Sequence, residues 1–263
     1  MQMEETDVLF SRLERKGLPW AEITLNRPDK GNAIHLPMLD QLSSAVARIE
    51  ADRSLRAVVV RGSGRFFSTG GDIEAWGALP PDEMGRHWIP RGIDVFSRLA
   101  ALHQPVIAVL SGHALGGGLE LALAADLRLA LRRAKLGTPE VTLGMISGWM
   151  GVSRLAETIG PARARHMTLL GTPISAEQAL DWGLVTAIAD DEPALERQLE
   201  AWLDTLCANG PAAMALTKGI LSGLHRDLRS HHAAAAAQAA STEDCREGVR
   251  AFIEKRPPVY RNR

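Results

Sequence analysis

A Gly-rich segment runs Ser111-Gly-His-Ala-Leu-Gly-Gly-Gly-Leu-Glu120 directly after an apolar run, and ends on a carboxylate. A second carboxylate, Glu140, stands behind Pro139 in Leu136-Gly-Thr-Pro-Glu-Val-Thr-Leu-Gly144. Glutamate is unusual in so apolar a setting. Burial would raise its pKa and suit it to proton transfer near neutrality. The two residues are too far apart to share a helix face, so only folding can bring them together. Either one alone could equally be a surface or capping carboxylate.

The glycines suggest a second kind of chemistry. An apolar strand, a Gly-rich turn and then Leu119 to Leu123 in helical pattern leave free backbone N–H groups at a helix start. Such groups attract negative charge, and glycine lets backbone and ligand approach closely. Tight strand–helix packing is the alternative explanation of the same glycines. Another Gly-rich loop, Gly62-Ser-Gly-Arg-Phe-Phe-Ser-Thr-Gly-Gly-Asp72, follows a β-branched run. Phe67 occupies the third glycine position of a dinucleotide fingerprint, and the Gly-Lys-Ser/Thr of a phosphate loop is absent. This loop can still present one or two amide N–H groups. Asp72 directly precedes Ile-Glu-Ala and reads first as a helix cap. His113 reads as structural. No G-x-S-x-G elbow and no His-rich metal spacing occurs in the chain.

These segments need a scaffold. Ala21, Ile23 and Leu25 alternate with polar neighbours, as in a half-buried strand. Leu39, Leu42, Val46 and Ile49 predict an amphipathic helix opening at Pro37. Ala57–Val60, Val106–Leu110 and Asp126–Leu131 are short buried strands. This alternation predicts an α/β domain over residues 1–200, followed by a helical C-terminal region over 201–263. Residues 161–207 carry helical spacing, and Pro211 starts a further helix. Ala233 to Ala237 seed a long helix reaching about Lys255. The charged, Trp-containing stretch from Pro80-Pro81 to Arg91 reads as a mobile loop.

Composition sets the outer bounds. Hydrophobic residues make up 46% of the 263 residues, charged residues 23%, and net charge is −1. Nothing there favours nucleic acid or an anionic membrane. Cys207 and Cys245 have neither disulfide-framework nor metal-site spacing. With no signal-peptide pattern over Met1–Lys16 and no uninterrupted apolar span, the expectation is a soluble, cytoplasmic protein.

Taken in order, six blocks resemble the signature segments of the crotonase (enoyl-CoA hydratase/isomerase) family. They are Leu25-Asn-Arg-Pro-Asp-Lys-Gly-Asn-Ala33, Phe67-Ser-Thr-Gly-Gly-Asp72, Ala114-Leu-Gly-Gly-Gly-Leu-Glu120, Pro139-Glu140, Gly183-Leu-Val185 and Glu243 to Arg256. The resemblance implies a spiral of β-β-α turns with C-terminal helices that build homotrimers or homohexamers. It implies an acyl-CoA substrate, with coenzyme A part of that substrate and no other cofactor or metal. Two amides, on Thr69 and Gly117 by motif position, would polarise the thioester carbonyl, each contributing on the order of 3 kcal/mol.

Glu120 and Glu140 fill both carboxylate positions of the family's hydratases. One carboxylate deprotonates the attacking water and the other, protonated, supplies the α-proton. By that analogy Glu120 handles the water and Glu140 the proton. Ser68, Gly70, Gly71, Asp72, Gly148 and Trp149 are the expected substrate-binding residues, with Phe252 and Lys255 reaching coenzyme A from a neighbouring subunit. The expected activity is enoyl-CoA hydratase. The alternatives are another reaction of the family, such as isomerisation or thioester hydrolysis on an unusual acyl group, or a noncatalytic RNA-binding homologue. One departure stands out. Family members commonly carry Pro where Ser147 sits and small residues where Trp149 and Met150 sit. Bulky groups there, with Trp88 and Met84, would reshape the acyl pocket.

Overall fold

The computed structural model describes residues 6–222 and 242–261, the side chains of Phe252 and Ile253 excepted. The alanine tract at 233–237 lies outside the described residues. Strands β1 (Val8–Arg15) and β2 (Leu18–Leu25) form an antiparallel hairpin. Its two-residue turn, Lys16-Gly17, takes positive φ at both positions (52° and 78°), matching the twist of the strands. Beyond it β3 (Val58–Gly62), β5 (Val106–Leu110), β7 (Leu127–Leu131) and β10 (Ala187–Ala189) run parallel. The order of the six-stranded sheet is β1-β2-β3-β5-β7-β10.

A second, four-stranded sheet holds β4 (Phe66–Ser68), β6 (His113–Leu115), β8 (Lys135–Gly137) and β9 (Ile174–Ser175), in that order. Each passage of the chain therefore lays one strand in each sheet, β3 then β4, β5 then β6, β7 then β8, before turning into helix. That is the β-β-α spiral. The corners are tight: a Cβ at Gly62 would lie 2.3 Å from the Phe67 carbonyl oxygen, and one at Gly112 would lie 1.9 Å from that of Arg65.

The central strands are buried on both faces. Val58, Val60, Val106, Ala108 and Leu110 join one core with Leu39, Leu42, Val46 and Ile49 of α1 (Leu36–Ala51). Val59, Ile107, Val109, Leu129 and Leu131 join another under Leu195, Leu199 and Leu203 of α9 (Glu192–Ala208). Helix α9 runs through residue 200, so the boundary expected there falls inside a helix that is itself packed on the sheet. Near β4 lie α2 (Ile73–Gly77) and α3 (Pro81–Glu83), which continues through a π-helical turn, Met84–Trp88, into α4 (Ile89–Ala100). The stretch expected as a loop is thus helical. Pro81 and Pro90 sit at helix starts, where proline is tolerated, and the Ile89 N–H reaches back to the Met84 carbonyl. The remaining helices are α5 (Gly117–Ala122), α6 (Gly151–Ile159), α7 (Pro161–Leu170), α8 (Ala176–Asp181), α10 (Pro211–Leu221) and α11 (Glu243–Glu254). Among the described residues no helix is long and apolar enough to cross a membrane.

Candidate active site

The loop after β4 is drawn against the segment before α1 by a short parallel bridge between Ile34 and Gly71. Its amides are mostly spent on that contact. Thr69 N–H donates to the Gly31 carbonyl (3.0 Å), Gly70 N–H to Ser68 Oγ (3.1 Å) and Asp72 N–H to the Ile34 carbonyl (2.8 Å). Among the described residues Gly71 N–H has no partner. The expectation that Thr69 polarises a carbonyl is therefore corrected: its amide is spent on the Gly31 carbonyl of the segment before α1, and Gly71 carries the free donor.

The second donor comes from the next turn of the spiral. Gly116 takes φ 52° and ψ −128°, a conformation glycine adopts freely, and the chain then enters α5 at Gly117. As the first helical residue, Gly117 has no intrahelical acceptor for its N–H, and none is provided elsewhere among the described residues. The two loops press together without side chains between them. A Cβ at Gly70 would meet Gly117 N at 3.0 Å, and a Cβ at Gly117 would meet Gly71 N at 3.3 Å. Two unspent amides thus lie side by side. The helix behind Gly117 spans only six residues, so the donors themselves matter more than its dipole.

Glu120, one turn into α5, is 2% exposed. Its Oε1 accepts two backbone hydrogen bonds, from Trp149 N–H and Gly151 N–H, each 2.7 Å. Burial pushes its pKa up to about 7. The charge of Glu140 adds to that rise; the two N–H groups and the Arg154 guanidinium oppose it. Arg154 donates to the Trp149 carbonyl (3.2 Å) and to Ser97 Oγ (3.3 Å), bracing the loop that holds Glu120. Sequence reasoning did not single out Gly151 or Arg154. The Gly151 position was readable only as a glycine near Trp149, and the structure gives the reason for it: a Cβ there would sit 2.3 Å from Glu120 Cγ.

Glu140 lies in a 3-10 turn, Pro139–Leu143, after β8. Among the described residues neither of its carboxyl oxygens meets a donor in good hydrogen-bond geometry. Burial raises its pKa; its own backbone N–H and the Ser147 hydroxyl pull the other way. Both glutamates line one cleft with Thr69, Gly70, Gly71, Gly116, Gly117, Gly148 and Trp149, and its apolar wall comes from Ile73, Trp76, Met84, Trp88, Ile89, Leu143, Met145 and Ile146. Folding therefore brings together two carboxyls of raised pKa and two free amides.

Other expected site residues are placed differently. Ser68 is fully buried, its hydroxyl donating to the Asn32 carbonyl (2.8 Å), so its side chain faces the scaffold and not the cleft. Asp72 caps α2 through Ala75 N–H (3.3 Å) and pairs with Arg27 (3.0 Å), which holds its carboxyl below the ordinary range despite partial burial. His113 accepts from Lys135 N–H (3.0 Å) and packs edge-on to Phe66, outside the cleft. Lys255 is exposed just beyond α11 with φ 53°, and the Phe252 side chain lies outside the described residues. Ser147 is almost wholly buried and does not line the cleft. Among the described residues no three His, Cys, Asp or Glu side chains are grouped to hold a metal ion.

Comparison with known proteins agrees with this geometry. A family profile described as enoyl-CoA hydratase/isomerase matches residues 18–263. The probable enoyl-CoA hydratase of Bacillus subtilis (strain 168) is 36% identical over 245 residues, covering 92% of this chain and 95% of that protein. The short-chain-enoyl-CoA hydratase of Clostridium acetobutylicum is 34% identical over 249 residues, with 93% and 94% covered. The solved enoyl-CoA hydratase of Bacillus anthracis superposes with a TM-score of 0.91 at 32% identity, over 98% of this chain and 100% of that one. Profile, relatives and fold agree along nearly the whole length, and the chain belongs to the enoyl-CoA hydratase/isomerase family, the crotonases.

Proposed function

We propose that the protein is an enoyl-CoA hydratase, adding water across the 2,3 double bond of an enoyl-CoA thioester. The observation that carries this reading is the convergence of two pKa-raised carboxyls on one cleft beside a pair of unspent amides. Water attack at the β-carbon moves electrons toward the thioester oxygen. Donors at Gly71 and Gly117 would meet that developing charge, each contributing about 3 kcal/mol in a water-poor site. Glu120, with Oε1 tied to two amides, keeps Oε2 for the water and takes its proton. Gly148, whose N–H has no partner among the described residues, supports holding the same water. Glu140, whose proton affinity burial raises, gives its proton to the α-carbon. The proton gained by Glu120 and the one lost by Glu140 balance through solvent, so no external reactant beyond water is needed.

The two carboxylates support hydration over the family's other reactions, while Trp149 and Met150 leave an unusual acyl group as the second reading. The exposed apolar side chains of Ile146, Leu169 and Leu170 (73%, 71% and 60%) support self-association as a homotrimer or homohexamer. Free Cys207 and Cys245 are consistent with a cytoplasmic setting. The test is hydration of crotonyl-CoA, followed as loss of the conjugated thioester's absorbance. Glu120→Gln and Glu140→Gln should each lower kcat by about 10²–10⁴-fold. Wild-type inactivity on crotonyl-CoA, with turnover of a different CoA ester, would replace hydration by the second reading.

A further inference from the structure

The indole of Trp149 is wedged beneath the proposed reaction centre. It is 2% exposed, packed edge-on to Phe96 (centroids 5.3 Å apart, planes at 78°) and tilted against Trp88 (5.5 Å, 35°). Two glycines make room for it. A Cβ at Gly117 would meet Cζ3 at 2.4 Å, and a Cβ at Gly92 of α4 would meet Nε1 at 2.3 Å. The indole N–H donates to the Trp88 carbonyl (3.4 Å), so the ring's polar atom is turned into the protein and the cleft meets carbon. The benzo edge thus lies directly behind Gly117, whose amide would face the thioester carbonyl, and the backbone N–H of Trp149 itself holds Glu120.

We propose that Trp149, backed by Trp88 and Phe96, is the floor of the acyl site and restricts the enzyme to short acyl groups. The inference rests on the hydratase reading for the orientation of the acyl unit: carbonyl at Gly71 and Gly117, reacting carbons between Glu120 and Glu140. A chain continuing past the β-carbon runs into aromatic carbon already close-packed from behind. The ring itself cannot retreat, because Phe96 and the Gly92 backbone fill the space beneath the indole.

The experiment measures binding of saturated butyryl-, hexanoyl-, octanoyl- and decanoyl-CoA by calorimetry, independently of hydration. Each methylene buried in an open channel would tighten binding about fourfold. Wild type should show no tightening from butyryl to decanoyl. Trp149→Ala should tighten decanoyl-CoA relative to butyryl-CoA at least tenfold, with Trp149→Phe in between. If Trp149→Ala fails to fold, Trp149→Phe alone should shift the ratio in the same direction. Progressive tightening with length in wild type, or unchanged length dependence in folded variants, overturns the floor assignment. Absence of crotonyl-CoA hydration in a wild type with the expected binding profile would overturn the hydratase reading and leave the floor standing.

Discussion

Replacing Glu120 by Gln should abolish the base function proposed for it and at the same time stabilise the fold at alkaline pH. Gln retains an oxygen for the Trp149 and Gly151 amides but carries no charge into the core. In wild type the folded-state pKa is about 7, against an ordinary value of 4.5. Below pH 4.5 the carboxyl is protonated in both folded and unfolded chains and contributes no pH dependence. As pH rises from 4.5 to 7 the unfolded chain releases the proton while the folded one retains it, so wild-type stability falls. Above about 7 the loss is complete. At about 1.36 kcal/mol per pH unit this interval corresponds to roughly 3 kcal/mol. Urea unfolding at one fixed protein concentration, from pH 5 to pH 8.5, should show the two proteins within about 1 kcal/mol at the acid end. The Gln variant should lead by about 3 kcal/mol at the alkaline end. A gap that is independent of pH, or that opens as pH falls, would refute the idea that burial raises this carboxyl.

Two further outcomes follow from the same geometry. The pH profile of kcat/KM for hydration should rise through about 7 as Glu120 loses its proton. A pH–rate series measures this, and an acid limb centred near 4.5 would contradict it. Met150 adopts φ 71° at the start of α6 with 44% of its surface exposed, so Met150→Gly should relieve about 1 kcal/mol of backbone strain. A melting scan should read this as a rise of about 2–4 °C; a fall would mean that the methionine makes contacts that outweigh the strain.

What could be read from sequence depended on element length and on how local the cause was. The α1 face emerged from apolar spacing because sixteen residues repeat the period several times. The β5 strand was read at its observed limits because five consecutive residues are buried. The three-residue strands β4, β6 and β8 are too short to display an alternation. Strand β1 was invisible for another reason: only Val8 is buried, and its polar residues lie along a sheet edge. Residues 80–91 misled because prolines and charges punctuate loops and helix starts alike. Within the site, the motif located the loop after β4 but not its free amide. Thr69 and Gly71 look equally available in sequence, and the choice is made by the carbonyl of Gly31, from a distant segment of chain. The Glu120 anchor was hidden likewise, since its donors come from backbone that carries no sequence signature.

The glycine sockets around Trp149 also constrain the order in which this lineage can change. Any side chain at position 92 collides with the indole, so drift there stays blocked until residue 149 has become smaller. Once it has, alanine at 92 would occupy vacated space and make a return to tryptophan difficult. Position 117 has less freedom, because a Cβ there would also close on the Gly71 amide at 3.3 Å whichever residue fills 149. A change of acyl preference would therefore behave as a ratchet, reversible at one glycine only before the other mutations accumulate.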